Sequence, residues 1–187
     1  MGPTAVERLF LRAKHWQLFL LLVAPMVLGQ IAFTSSFPNS APHAPQEIVK
    51  AFRTFFIATG LSMLFFMGWF WSIGSFLNSI APNVYRPQVR LFRLALIYPS
   101  AYTVAFFIAL SSTGRVSPLV IPFHLFAILC MFYDLYFVSK SLVLAEQNEP
   151  VSFRDFSRPF FLLWFYPIGV WVIQPRINRL FLEMRHQ

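Results

Sequence analysis

The sequence predicts an all-α polytopic membrane protein with four transmembrane helices, followed by a bent C-terminal re-entrant or interfacial segment and a short amphipathic helix. Three observations predict it. Hydrophobic residues make up 57% of the 187-residue chain and charged residues 12%, too little charge to cover a soluble domain. Four apolar runs approach or exceed the ~20 residues that cross ~30 Å of hydrocarbon. The Lys and Arg residues also fall mostly to one side of those runs, the pattern that sets membrane orientation.

The runs divide the chain into an N-terminal segment (1–15), a four-helix region (16–145) and a C-terminal segment (146–187). The first span covers Trp16 to Phe33, with Pro25 as its expected kink. Its length and the lack of a small-x-small cleavage site favour a retained helix over a cleaved signal peptide. The second span covers Phe55 to Leu77, the third Leu91 to Leu110 and the fourth Leu119 to Val143. Between the first two, the Pro- and Ser-rich stretch 35–47 reads as an irregular loop too small for a domain. Gly68, Ser72, Ser75 and Ser79 on the second span, and Ala101, Ala105 and Ala109 on the third, form small-residue faces that predict close approach of those two helices.

Charge then orients the bundle. Arg8, Arg12 and Lys14, then Arg86, Arg90 and Arg93, then Lys140, Arg154, Arg158, Arg176, Arg179 and Arg185 share one side, against Lys50, Arg53 and Arg115 on the other. The positive-inside rule therefore places both termini in the cytoplasm. The formal charge of +8 is spread between apolar blocks, which points to an anionic inner leaflet rather than to nucleic acid.

The C-terminal apolar core, Phe160 to Ile173, is 14 residues long, the length of a re-entrant or interfacial segment rather than of a fifth span. Pro167 and Gly169 in its middle predict the bend, and Trp164 and Trp171 suit an interfacial depth. Ser152 and Asp155 have the spacing of a capping box. After Pro175, Ile177, Leu180, Phe181 and Met184 recur on one helical face, as an amphipathic surface helix requires.

Few residues carry candidate chemistry. Asp134 is the acidic residue well inside a span, where an ionised carboxylate costs ~2.5–3.5 kcal/mol unless it faces the bundle or a wet cavity. Tyr98, Arg93, Ser72 and Ser75 are its expected neighbours by depth. The arrangement reads either as a cation- or proton-binding carboxylate or as a structural pair, with an Arg of the C-terminal segment as one partner. No clustered His, Cys and carboxylate set has metal spacing, His124 and His15 lie at opposite ends, and Cys130 is the lone cysteine. No phosphate-binding, nucleophile-elbow or zinc-protease motif is present, and no cofactor is expected.

One stretch resembles a known group. Trp164, Phe165, Pro167, Ile168, Gly169 and Trp171, followed by Ile173, Gln174, Pro175, Arg176, Ile177 and Asn178, are similar to the C-terminal signature of small, uncharacterised multi-pass proteins of the bacterial inner membrane. The resemblance implies that location and no activity, substrate or cofactor. Trp164, Pro167, Gly169, Trp171, Gln174, Pro175, Arg176 and Asn178 make up the candidate contact segment. The expected function is a non-enzymatic accessory that binds a protein partner or a second copy of itself. The alternatives are a small proton- or ion-coupled carrier or channel using Asp134 and, third, an intramembrane enzyme.

Overall fold

The computed structural model describes residues 4–37, 45–113, 118 and 120–184. His43 and most of the predicted 35–47 loop, Arg115 and Arg185 lie outside them. Among the described residues seven α-helices follow in order: α1 (Ala5–Arg12), α2 (His15–Ser35), α3 (Pro45–Ile80), α4 (Val89–Thr113), α5 (Val120–Gln147), α6 (Phe153–Trp164) and α7 (Tyr166–Glu183), with a 3-10 turn at Asn83–Tyr85. Helices α2 to α5 are each long and apolar enough to cross a membrane, so the chain is an all-α, multi-pass membrane protein. Each contains its predicted span, apart from Leu119, and α3 extends it most, to 36 residues. Pro25 lies within an unbroken α2.

Helix α3 is the hub, touching α1, α2, α4 and α5. Its junction with α4 is not the predicted one. Ala101 and Ala105 are exposed, and a methyl at Gly68 would meet the Phe10 ring of α1 at 2.9 Å. The two helices meet instead where Phe92 lies over Gly74, leaving no room for a side chain there. Phe92 in turn stacks on Phe137 of α5, with ring centroids 4.2 Å apart, so one aromatic layer joins three spans.

Helix α1 had no counterpart in the sequence reading. Thr4 and Glu7 form a full capping box, with Thr4 N–H donating to Glu7 Oε2 at 2.7 Å and Glu7 N–H to Thr4 Oγ1 at 3.3 Å. Phe10 and Leu11 are buried while Val6, Arg8 and Leu9 face outward, so the helix is amphipathic and held by its apolar side.

The C-terminal segment folds as a helical hairpin. Asp155 accepts from the Ser152 N–H at 2.8 Å and from its hydroxyl at 2.7 Å, which starts α6 and holds this carboxyl below its usual range. That contribution to stability is present above the ordinary carboxylate pKa and is lost as pH falls through the lowered one. Helix α6 runs inward along α5 and α7 returns along α2. At the tip, Trp164 packs on Phe132 at 4.4 Å and Tyr166 on Phe66 at 5.2 Å. Phe132 is 15 residues from Gln147, the end of α5, or about 22 Å along the helix, so the hairpin reaches the middle of the bundle.

The bend falls at Phe165 (φ −91°, ψ 55°), not at Pro167 and Gly169. Pro167 occupies the first turn of α7, where its missing N–H costs nothing. Gly169 closes the hairpin: a Cβ there would lie 1.7 Å from the Leu162 carbonyl oxygen. Nor does Pro175 begin a separate surface helix. Helix α7 passes through it, and Ile177, Leu180 and Phe181 are buried against the bundle; only Met184 of the predicted apolar face is exposed.

Because the obstacle at Gly169 is backbone, Gly169→Ala is expected to destabilise the protein by about 3 kcal/mol, the upper range for overpacking. Gly60, with nothing within 4 Å of its Cβ position, is the control, and Gly60→Ala is expected to be neutral or slightly stabilising. Melting in detergent, followed by tryptophan fluorescence, compares the two.

Candidate intramembrane binding site

Among the described residues two buried polar centres stand out from the scattered serines Ser72, Ser139 and Ser141 and from the unpartnered oxygens of Ser75, Asn78 and Ser141, and they differ in kind. The first is Gln174 on α7, which is fully buried. Its Oε1 accepts the Trp69 indole N–H of α3 at 2.9 Å. Its Nε2 donates to the Phe10 carbonyl at 2.9 Å, to the Ala13 carbonyl at 3.2 Å and to Asn178 Oδ1 at 2.7 Å. Asn178 Nδ2 adds a second bond to Ala13 O at 3.2 Å. The carbonyls ending α1 have no partners within their own helix, so Gln174 and Asn178 cap α1 from a helix more than 160 residues away in sequence.

Pro175 is exposed beside this centre. Arg176, next in line, pairs with Glu146 through two hydrogen bonds, one of them Nε to Oε1 at 2.8 Å. Glu146 sits in the last turn of α5, where the helix dipole disfavours an acid, and Arg179 lies 3.8 Å from it as well. Trp171 packs on His15 at 4.7 Å and Phe19 at 5.7 Å. Of the candidate contact segment, Gly169 and Gln174 are buried, Pro167, Arg176 and Asn178 half-buried, and Trp164, Trp171 and Pro175 exposed; its contacts reach α1, α2, α3 and α5.

The second centre is Asp134 on α5. Its side chain is 3% exposed, and its Oδ1 has no hydrogen-bond partner. It lines an open-sided cavity of about 390 Å³ bounded by α2, α3, α4, α5 and the hairpin tip, a size typical of small-molecule sites. Thr59 and Ser62 of α3 line the same cavity, and their hydroxyl oxygens are buried and likewise unpartnered. The remaining wall is apolar, with four methionines (Met26, Met63, Met67, Met131) and the rings of Phe66, Phe70, Trp164 and Tyr166. Met26, Met131 and Trp164 are each 40–43% exposed on the outer surface. Each therefore belongs both to the cavity wall and to the outer surface of a span or of the hairpin.

None of the neighbours expected for Asp134 lines this cavity. Tyr98 donates to the Phe123 carbonyl at 3.3 Å and packs on Phe126. Arg93 is exposed, its guanidinium 5.0 Å above the Trp71 ring. Ser72 donates to Gly68 O of its own helix, and Ser75, half-buried, lies outside the cavity lining. Arg176 is taken by Glu146 rather than by Asp134. Thr59, Ser62 and Tyr166 were missed, because depth alone does not say which helix faces meet. Of the remaining polar candidates, His124 Nδ1 lies 3.4 Å from the Tyr102 hydroxyl, and Arg86 caps α3 through Ser79 O and Ala81 O, both at 2.7 Å. Among the described residues no three His, Cys, Asp or Glu side chains come together to hold a metal.

Comparison with family models, with curated proteins and with solved structures finds no match.

The two centres predict opposite outcomes on substitution. Gln174→Leu keeps the volume but strands the Trp69 N–H and the Phe10 carbonyl, at about 1–3 kcal/mol for each buried group. We expect a loss of about 3 kcal/mol in melting experiments. Asp134→Asn breaks no hydrogen bond of its own and is expected to leave melting within about 1 kcal/mol of the parent or slightly higher.

Proposed function

We propose that this chain is a non-enzymatic multi-pass protein of the bacterial inner membrane that binds a small molecule from the bilayer in the Asp134 cavity, as a receptor or as the binding element of a small carrier. The observation that carries the reading is the grouping of an unpartnered buried carboxylate with two unpartnered hydroxyls in one cavity. Unsatisfied buried polar groups cost about 1–3 kcal/mol each, and a ligand that satisfies all three recovers that cost on binding. The open side supplies a route from the lipid. Bacterial origin rests on the resemblance of residues 161–178, and cytoplasmic termini rest on the basic residues gathered at the ends of α2 to α5 that adjoin α1 and α7.

A protein partner, or a second copy of the chain, is a second reading. Phe161, Phe165 and Ile168 at the hairpin are 52–67% exposed and offer an apolar face to another membrane helix. The basic ends also suit an anionic lipid surface.

A hydrophobic carbodiimide tests the cavity directly. Dicyclohexylcarbodiimide added to protein in lipid is expected to modify Asp134, whereas a water-soluble carbodiimide is not. Ser62→Phe, which fills the cavity, is expected to abolish the labelling without unfolding the protein. If Asp134 resists the hydrophobic reagent in a folded sample, the carboxyl is sealed and the cavity is no binding site. Orientation is tested separately: in a Cys130→Ser background, Thr4→Cys and Met184→Cys are expected to react with an impermeant thiol reagent only from the cytoplasmic face.

A further inference from the structure

The chemistry of the cavity wall narrows the ligand. Among the described residues Asp134 is its only acidic side chain, and no Lys, Arg or His lines it. A carboxylate held at this depth is costly unless a counter-charge and hydrogen-bond donors reach it. The three unpartnered atoms, Asp134 Oδ1, Thr59 Oγ1 and Ser62 Oγ, are all oxygens able to accept. A primary ammonium has the matching inventory of three donors and no acceptor. An anion would bring like charges together, and an alcohol would leave the carboxylate's charge uncompensated.

The rest of the wall fits the same class. Phe66, Phe70, Trp164 and Tyr166 present aromatic rings, whose faces attract a desolvated cation by about 2 kcal/mol. The methionine thioethers are flexible and polarisable and adapt to an apolar body of varied shape. Depth identifies the source. Asp134 is 13 residues from the end of α5, about 20 Å along the helix, whereas the ammonium of an aminophospholipid sits at the interface.

We propose that the Asp134 cavity binds a small lipophilic primary amine, free in the bilayer, as its ammonium: the head on Asp134, Thr59 and Ser62, the apolar body among the methionines and rings. The proposal rests on the reading of the cavity as a ligand site and names the ligand class.

The test uses the full chain in nanodiscs of phosphatidylcholine and phosphatidylglycerol, with three probes of one shape: phenylbutylamine, phenylbutanol and phenylbutyrate. Protection of the fold, read as a rise in melting temperature with no carbodiimide present, is expected at a concentration at least ~10-fold lower for the amine than for the alcohol, and not at all for the acid, as a tenfold difference corresponds to ~1.4 kcal/mol of charge pairing. That shift should vanish in Asp134→Asn and Ser62→Phe and return in part in Asp134→Glu. Alcohol or acid protecting as well as the amine overturns the ammonium class while leaving the cavity as a ligand site. Protection by none of the three, with labelling intact, also overturns it. Loss of labelling in nanodiscs containing phosphatidylethanolamine, without added amine, assigns the site to a lipid headgroup and overturns the free amine. Failure of the carbodiimide to label at all defeats the underlying cavity reading instead.

Discussion

A chain that breaks its helix at membrane depth must satisfy the freed backbone groups within the protein, and the turn at Phe165 meets that constraint. The Phe165 N–H donates to Phe161 O at 3.0 Å, while the Phe165 carbonyl accepts from Ile168 N–H at 3.0 Å and from Gly169 N–H at 2.9 Å. Only a glycine lets α7 fold back this tightly, because the Leu162 carbonyl occupies the space a Cβ would need. With the turn closed, α7 carries Gln174 to the end of α1 and Arg176 to the end of α5. One local turn therefore fixes contacts across the whole bundle.

The cavity follows from the same turn. Leu163, Trp164 and Tyr166 form one of its walls, so a hairpin that stopped a helical turn earlier would leave that wall unbuilt. One that reached a turn deeper would fill the space. Packing alone would favour the filled version, since voids cost stability. The chain instead keeps about 390 Å³ open beside a carboxylate, and methionines, which fill gaps readily, line the opening without closing it.

The spans were legible because hydropathy over about 20 residues is a strong, local signal, and the C-terminal segment betrayed itself by being too short to cross. The position of its bend was not legible. Pro167 and Gly169 are the residues that ordinarily mark a break, yet here one starts a helix and the other permits contact between two. Helix α1 was within reach, since Thr4 and Glu7 spell its start; eight residues simply give too little apolar signal to stand out beside the spans. Asp134 stood out as an acid in an apolar run, but its neighbours did not. Thr59 and Ser62 look like any small polar residues of a membrane helix, and only the rotation of α3 against α5 turns them to the same space. Arg176 was legible as a cation needing an acid. That its acid is Glu146 depends on where α5 ends relative to α7, a long-range fact.

The contrast between Gln174 and Asp134 bears most directly on what the protein does. Both are buried polar side chains on helices of one small bundle, and both are expensive to bury unpaired. Around Gln174 the chain has arranged partners for the amide oxygen and nitrogen, and has drawn them from three different helices. Such a centre fixes structure, because every alternative arrangement leaves something unsatisfied. Around Asp134 nothing comparable has been arranged, although Ser100, on the same wall, turns its hydroxyl to Leu96 O and Met67 Sδ. If Asp134 served only to hold helices together, one of the hydroxyls beside it should be bonded to it. Instead its Oδ1 and both hydroxyl oxygens are buried without a partner, on residues that line one cavity. Asp134 makes no hydrogen bond that ties one helix to another, and in that it is the opposite of Gln174.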